Sequence, residues 1–85
     1  MNWELHLRKK AKKALLRFPE EDQRRIALVL HEIATNPYAG DIEKMGGEDS
    51  TWRRRVGAYR IFYQVLVIEK AIYVFRIESR TSKTY

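Results

Sequence analysis

Four arginines lie in the segment WRRRVGAYRIFYQV, three of them consecutive at positions 53–55 and the fourth, Arg60, beyond a turn. Guanidinium groups stay charged at every working pH and bind phosphate oxygens through paired hydrogen bonds. Gly57-Ala58 predicts a type II′ hairpin turn, because glycine adopts the positive φ required at its first central position. That turn places Arg55 opposite Arg60, and opposed like charges destabilise a strand pair. The spacing therefore predicts a site for an anion, of which a phosphodiester is the natural example.

Two registers are open for the hairpin that follows. A two-residue loop at Glu69-Lys70 opposes Arg60 to Ser79 and puts apolar side chains beside the arginines. A three-residue loop, or a bulge that supplies the extra residue, opposes Arg60 to Arg80. We predict the second register, because a one-residue slip would expose the whole apolar set. It also pairs Phe62 with Glu78 and Gln64 with Arg76.

The second register gives the sheet two unlike faces. The apolar face packs against helices and carries Trp52, Val56, Tyr59, Ile61, Tyr63, Val65, Val67, Tyr73, Phe75, Ile77 and Ser79. The opposite face, which we call the arginine face, carries Arg53, Arg55, Arg60, Arg76 and Arg80. Arg54 points away from it, Glu78 is placed to neutralise Arg76, and Phe62 is the candidate for stacking on a nucleobase.

The rest of the chain predicts an α+β fold with a small antiparallel sheet of about four strands and a two-helix hairpin on one face. Alternation over residues 3–7 indicates a first strand. Helical periodicity follows from about 8 to 17, and again from Pro19 to the Asn36-Pro37 stop. Residues 38–51 are rich in turn formers and predict a long surface loop held down by Ile42 and Met45. Strands are predicted at 52–56, 59–67 and 71–78.

The composition limits the class of protein and the kinds of site that the chain can have. The 85 residues are 45% hydrophobic and 33% charged, which predicts one folded domain over residues 1–85. Residues 1–51 carry nine Lys and Arg against nine Asp and Glu, and residues 52–85 carry eight against two, so the net charge of +6 comes from the last third. Cysteine is absent, His6 and His31 are far apart, and we expect no metal or other cofactor. The absence of a signal sequence or an apolar span predicts a cytoplasmic protein with no membrane partner.

With these residues in place, the sequence resembles the RelE/ParE superfamily of bacterial toxins, each neutralised by a cognate antitoxin. The resemblance rests on the helices closing in "NP", the loop with "KMGG", the stretch "WRRRVGAYRIFY" and the terminal "ESRTSKTY". In the RelE-like branch it implies a metal-independent endoribonuclease that cleaves messenger RNA on the ribosome through attack by the substrate's own 2′-hydroxyl.

The resemblance also implies roles for particular residues. Arg55 and Arg60 bind the scissile phosphate, Arg80 assists the leaving group, and Tyr85 takes the hydroxyl proton. Further contacts to RNA are assigned to Arg53, Arg76, Phe62 and Lys83.

An alternative stays open within the same superfamily. The best-known nuclease pattern has lysines where this chain has Arg53 and Arg55, and arginine is a poor proton carrier. These two residues would then act only as clamps. The substitution favours a ParE-like toxin that inhibits DNA gyrase by protein contact, and a non-catalytic RNA-binding module is a third possibility.

Overall fold

A computed structural model describes residues 3–45 and 50–80 and begins with a strand and two helices. Strand β1 spans Glu4–Leu7, helix α1 Lys9–Leu16 and helix α2 Glu20–Thr35. Pro19 occupies the N-cap position of α2, and Glu20, Glu21 and Asp22 follow it at the positive end of the helix dipole. The helix ends at Thr35 with Asn36 as its C-cap, at the predicted Asn36-Pro37 stop. Neither described helix is long and apolar enough to cross a membrane.

The remaining strands complete a five-stranded sheet. They are β2 Ile42–Lys44, β3 Thr51–Val56, β4 Tyr59–Leu66 and β5 Ala71–Ser79. The strand order is β1-β5-β4-β3-β2, in which β1 runs parallel to β5 and the other pairs are antiparallel. The predicted α+β class is confirmed. The sheet has five strands rather than about four because β2 forms in the predicted loop, and it is mixed because β1, distant in sequence, joins the free edge of β5.

The first hairpin has the predicted register. Val56 pairs with Tyr59, and Arg55 pairs with Arg60. Gly57 has a φ of 58°, and Ala58 is not among the described non-glycine residues with positive φ, as a type II′ turn requires. The opposition of two arginines is therefore a feature of the folded hairpin.

The predicted register of the second hairpin is wrong. The turn holds four residues, Val67 to Lys70, with Lys70 in the left-handed region at a φ of 57°. Arg60 therefore pairs with Glu78 instead of Arg80. The pairing then shifts by one residue at a β-bulge between Phe62 and Tyr63. In place of the predicted Phe62–Glu78 and Gln64–Arg76 pairs, the sheet contains Phe62–Arg76 and Gln64–Tyr73.

The bulge decides which side chains of β5 face the helices. Ile72 and Val74 lie in the core, whereas Tyr73 and Phe75, predicted for the helix face, lie on the arginine face. Beyond the bulge, the actual and predicted registers differ by two residues, so Arg76 and Glu78 keep their predicted side. The buried hydrophobic cluster consists of Ala11, Ile26, Val29, Leu30, Ile33, Val56, Tyr59, Ile61, Tyr63, Val65, Ile72, Val74 and Ile77.

Two tyrosines of β4 join the sheet to α2 and its C-terminal end. The Tyr59 hydroxyl donates to Asp22 Oδ2 at 2.5 Å, and the Tyr63 hydroxyl donates to the Pro37 carbonyl at 2.6 Å. Burial raises the pKa of each tyrosine to about 12, and the Asp22 carboxylate adds to the increase at Tyr59. Both hydroxyls therefore stay protonated and keep donating at neutral pH.

We expect Tyr63→Phe to lower the free energy of unfolding by about 1–2 kcal/mol at neutral pH, because the buried Pro37 carbonyl loses its donor. The pKa of Tyr63 is about 12 in the folded protein and has its ordinary value of 10.0 in the unfolded chain. The protonated hydroxyl therefore stabilises the fold fully below pH 10, and this stabilisation is lost as the pH rises through about 12. The variant should therefore lose less stability than the wild type across that range. Urea titrations at each pH measure both effects. Tyr73→Phe, at a half-buried ring, is the control, and equal losses in the two variants would contradict the assignment.

Candidate nucleic-acid interface

Two transverse rows of side chains cross the arginine face. In the first row, Arg55 on β3 pairs with Arg60 on β4, which pairs with Glu78 on β5. Asp41 lies at the outer end, where its Oδ2 accepts from Arg55 Nε at 3.2 Å. Arg60 Nε lies 3.6 Å from Glu78 Oε1. The two opposed cations are thus flanked by an anion on each side, which offsets their repulsion.

The second row carries Arg53, Phe62 and Arg76 on the same three strands. Arg53 forms an ion pair with Glu43, its cross-strand neighbour on β2. The Arg76 guanidinium lies 5.2 Å from the Phe62 ring centroid, and its Nη2 contacts Glu78 Oε2 at 2.9 Å. Glu78 therefore neutralises Arg76, as the sequence predicted, and bridges the two rows.

Arg54 faces the other side of the sheet, as predicted. Its Nη2 donates to Glu32 Oε1 on α2 at 2.7 Å, and its side chain is only 11% exposed. Its Nη1 also donates to the Ala39 carbonyl at 3.3 Å. This arginine joins the sheet to α2 and the segment that follows it.

The remaining predicted site residues are placed less favourably. Phe62 is on the predicted face but only 9% exposed, since Arg76 and Phe75 cover its ring. Arg80 is exposed directly after β5, and its backbone N–H donates to the Ala58 carbonyl at 2.7 Å. Lys83 and Tyr85 lie outside the described residues.

Carboxylates from this chain lie among the arginines of the predicted anion site. Sequence reasoning identified Glu78 but missed Asp41 and Glu43, which fell in the segment predicted to be a loop. The signal was the alternation Asp-Ile-Glu at 41–43, which places two acids on one side of an extended strand.

These internal ion pairs leave the arginines incompletely satisfied. Arg53 Nε and Arg60 Nε are buried and have no hydrogen-bond partner. A buried donor without an acceptor costs about 1–3 kcal/mol. The acidic side chains are partly exposed, with Glu43 at 65% and Asp41 at 64%, and ion pairs of that kind contribute about 0–1 kcal/mol. An anion with several oxygens can displace them and satisfy the free donors.

No three His, Asp or Glu side chains in residues 3–45 and 50–80 are grouped so as to hold a metal ion. What the site offers chemically is a set of fixed cationic donors on rigid strands. Such donors can bind a phosphodiester and stabilise negative charge that develops on it.

Several solved structures with this fold are described as RelE toxins. The RelE–RelB complex of Pyrococcus horikoshii OT3 matches with a TM-score of 0.83 and 25% identity, over 98% of this chain and 100% of that one. The RelB–RelE complex from Methanococcus jannaschii matches with a TM-score of 0.73 and 30% identity, over 89% of this chain and 91% of that one. The isolated RelE toxin of E. coli, 17% identical over 95% of this chain and 87% of its own, shows the same fold with a TM-score of 0.81.

The fold and these similarities thus define a toxin of the RelE/ParE superfamily. The family model described as the ParE toxin of the type II toxin–antitoxin system parDE matches residues 5–83, and the chain belongs to that family. The family model carries the ParE name, whereas these structural relatives carry the name RelE.

Glu78→Gln tests whether the carboxylate stands in for an external anion. We expect the variant to lose up to about 1 kcal/mol of unfolding free energy at low salt, because two arginines lose their counterion. Inorganic phosphate should then raise the melting temperature of the variant more than that of the wild type. The control is Glu69→Gln, which makes the same charge change in the β4–β5 turn. Equal responses to phosphate in all three proteins would show that Glu78 does not occupy an anion site.

Proposed function

We propose that this toxin is a metal-independent endoribonuclease that cleaves messenger RNA on the ribosome. The observation that carries the proposal is the convergence of guanidinium groups from three adjacent strands on one sheet face, with Arg53 Nε and Arg60 Nε lacking acceptors. Phosphodiester oxygens are acceptors of the right charge and number. Similarity to RelE toxins over most of the chain supports the same conclusion.

The reaction needs only groups of the substrate and the protein. The 2′-oxygen of one nucleotide attacks the adjacent phosphorus, and the bond from phosphorus to the 5′-oxygen of the next nucleotide breaks. A 2′,3′-cyclic phosphate forms, the 2′-hydroxyl gives up its proton, and the leaving 5′-oxygen gains one. Arg55 and Arg60 bind the scissile phosphate and stabilise the charge on the phosphorane. We assign Tyr85 as the proton acceptor and Arg80 as the group that stabilises the leaving oxygen.

Binding of RNA would rearrange the internal ion pairs. Phosphate oxygens replace Glu78 at Arg60 and Arg76, and Glu43 at Arg53. Displacement of Arg76 uncovers the Phe62 ring, which then stacks on a nucleobase. Lys83 provides a further phosphate contact. In this proposal the acidic side chains keep the arginines ordered until the substrate arrives.

We propose a cognate antitoxin as the protein partner. RelE proteins with this fold have been crystallised with RelB antitoxins. An acidic helix or strand laid across the arginine face would occupy the same donors as RNA and prevent its binding. The whole chain would act as one toxin domain in the cytoplasm, where messenger RNA and ribosomes are found.

A ParE-like inhibitor of DNA gyrase is the second candidate. It is favoured by the ParE description of the matching family and by arginines at positions 53 and 55. The carboxylates paired with the arginines also suit a protein-binding surface, because they reduce the net positive charge that would attract a nucleic acid.

Arg60→Ala should weaken binding to single-stranded RNA and reduce the slope of log affinity against log salt by about 0.7 for each phosphate that the variant no longer binds. Fluorescence anisotropy with a labelled oligoribonucleotide at several salt concentrations measures the slope. Arg24→Ala is the control, because it removes the same charge from an exposed position on α2. An unchanged slope for Arg60→Ala would show that this side chain does not contact the RNA backbone.

The two candidate activities are separated by a translation extract and a supercoiling assay. We expect the purified toxin to cleave ribosome-bound messenger RNA and leave 2′,3′-cyclic phosphate ends in the presence of a metal chelator that the ribosomes tolerate. Arg60→Ala should abolish cleavage. Intact messenger together with inhibited gyrase supercoiling would establish the ParE-like activity instead.

A further inference from the structure

A third row of side chains crosses the open face of the sheet beyond the two arginine rows. Gln64 on β4 pairs with Tyr73 on β5, and Tyr73 pairs with His6 on β1. The imidazole of His6 stacks on the Tyr73 ring, with centroids 4.9 Å apart and ring planes at 18°. The Arg8 guanidinium lies 4.6 Å from the same ring centroid. Two planar groups, one of them a permanent cation, thus lie against one aromatic ring.

These groups are accessible on the surface. Arg8 is exposed, Tyr73 is half-buried, and the His6 side chain is 44% exposed. Arg8 forms no ion pair with a carboxylate in the part of the chain that the structure describes, unlike the arginines of the other two rows. Glu4 Oε1 lies 3.8 Å from His6 Nε2, so a negative charge lies beside the imidazole. The positive charge of the cluster is therefore at Arg8.

Planar π-surfaces and a guanidinium are what single-stranded nucleic acid binds. Every base has a π-face, so stacking on tyrosine or histidine tolerates any sequence, and arginine adds a cation–π contribution or a phosphate contact. The Gln64 amide directly opposite Tyr73 can both donate to and accept from a base edge. The combination of stacking, cation and amide suits a nucleobase better than an apolar protein segment.

The position of the cluster makes it continuous with the arginine face. Tyr73 lies two residues before Phe75, a distance of about 7 Å along the strand. Phe75 in turn contacts the Phe62 ring, with centroids 6.3 Å apart. A single strand of RNA whose phosphate lies on the first row can therefore extend over the second row to the third.

We propose that Tyr73, His6 and Arg8 form a nucleobase-stacking subsite for single-stranded RNA at the β1–β5 side of the arginine face. The proposal rests on the proposed nuclease function and extends it, since it assigns a base next to the cleavage site to a defined surface. In this proposal β1, the edge strand that carries His6, forms part of the RNA-binding surface.

The subsite is tested with Tyr73→Ile, which removes the ring and keeps a residue suited to a strand. The probes are a labelled short oligoribonucleotide and the same chain with abasic residues, which has the same phosphates and no bases. We expect Tyr73→Ile to weaken binding of the intact oligonucleotide about tenfold and leave binding of the abasic one unchanged. The salt slope should not change, because the variant binds the same phosphates as the wild type. Tyr73→Phe retains a ring and should bind like the wild type.

Arg8→Lys gives an independent variant away from the ring itself. It keeps the charge but loses the planar guanidinium, so it should weaken binding of the intact oligonucleotide more than that of the abasic one. Circular dichroism and thermal unfolding establish that each variant is folded.

Two results would overturn the proposal. The first is equal binding of the intact oligonucleotide by Tyr73→Ile and the wild type, and the second is an equal reduction in affinity for both probes. If the wild type binds and cleaves RNA in either case, the nuclease function stands and only the stacking subsite fails. If the wild type binds neither probe, the stacking subsite fails, and the nuclease function is decided separately by cleavage in the translation extract.

Discussion

The direct opposition of Arg55 and Arg60 across the first hairpin is the constraint around which the arginine face is built. Two cations in register repel each other, and the sheet accommodates them with Asp41 on one side and Glu78 on the other. The carboxylates come from different parts of the chain, so the balance exists only in the folded protein. These ion pairs are partly exposed, with N–O distances of 3.2 Å to Asp41 and 3.6 Å to Glu78, so each contributes little to stability while it holds its arginine in place.

The β-bulge opposite Phe62 and Tyr63, where Phe75 is the extra residue of β5, determines which side chains reach each face of the sheet. One extra residue in β5 reverses the alternation of side chains between its two halves. Ile72 and Val74 therefore complete the core, while Arg76 and Glu78 still lie on the arginine face. The same extra residue brings Tyr73 and Phe75 out beside the cations, and a surface with both charge and aromatic rings results.

The strand that carries Arg60 is anchored from the opposite side of the sheet. Tyr59 and Tyr63 alternate with Arg60 and Phe62 along β4, and their hydroxyls bond to Asp22 and Pro37. Both hydroxyls are protonated at neutral pH, and their raised pKa values extend this donation to more alkaline pH. The core thereby fixes the position of the cations on the opposite face of β4.

Local patterns in the chain were enough to predict the α+β class, the two helices, the first hairpin and the face on which most of the arginines lie. These features follow from the period of the apolar residues, the proline at the start of α2, and the glycine that sets a two-residue turn. Such signals act over a few residues and are legible without tertiary contacts. The pairing of Arg55 with Arg60 was predictable for that reason.

The second register, the strand β2 and the carboxylates among the arginines depend on long-range contacts. Because a bulge follows the four-residue turn, Arg76 stays on its predicted face whereas Tyr73 moves to the arginine face. No periodicity in the sequence distinguishes this arrangement from a register shifted by one residue along the whole strand. Strand β2 is three residues long and owes its existence to pairing with β3, so its own propensity could not reveal it. Long-range pairing selects among registers that local patterns leave nearly equal in free energy, and here that selection set both the charge and the aromatic character of the site.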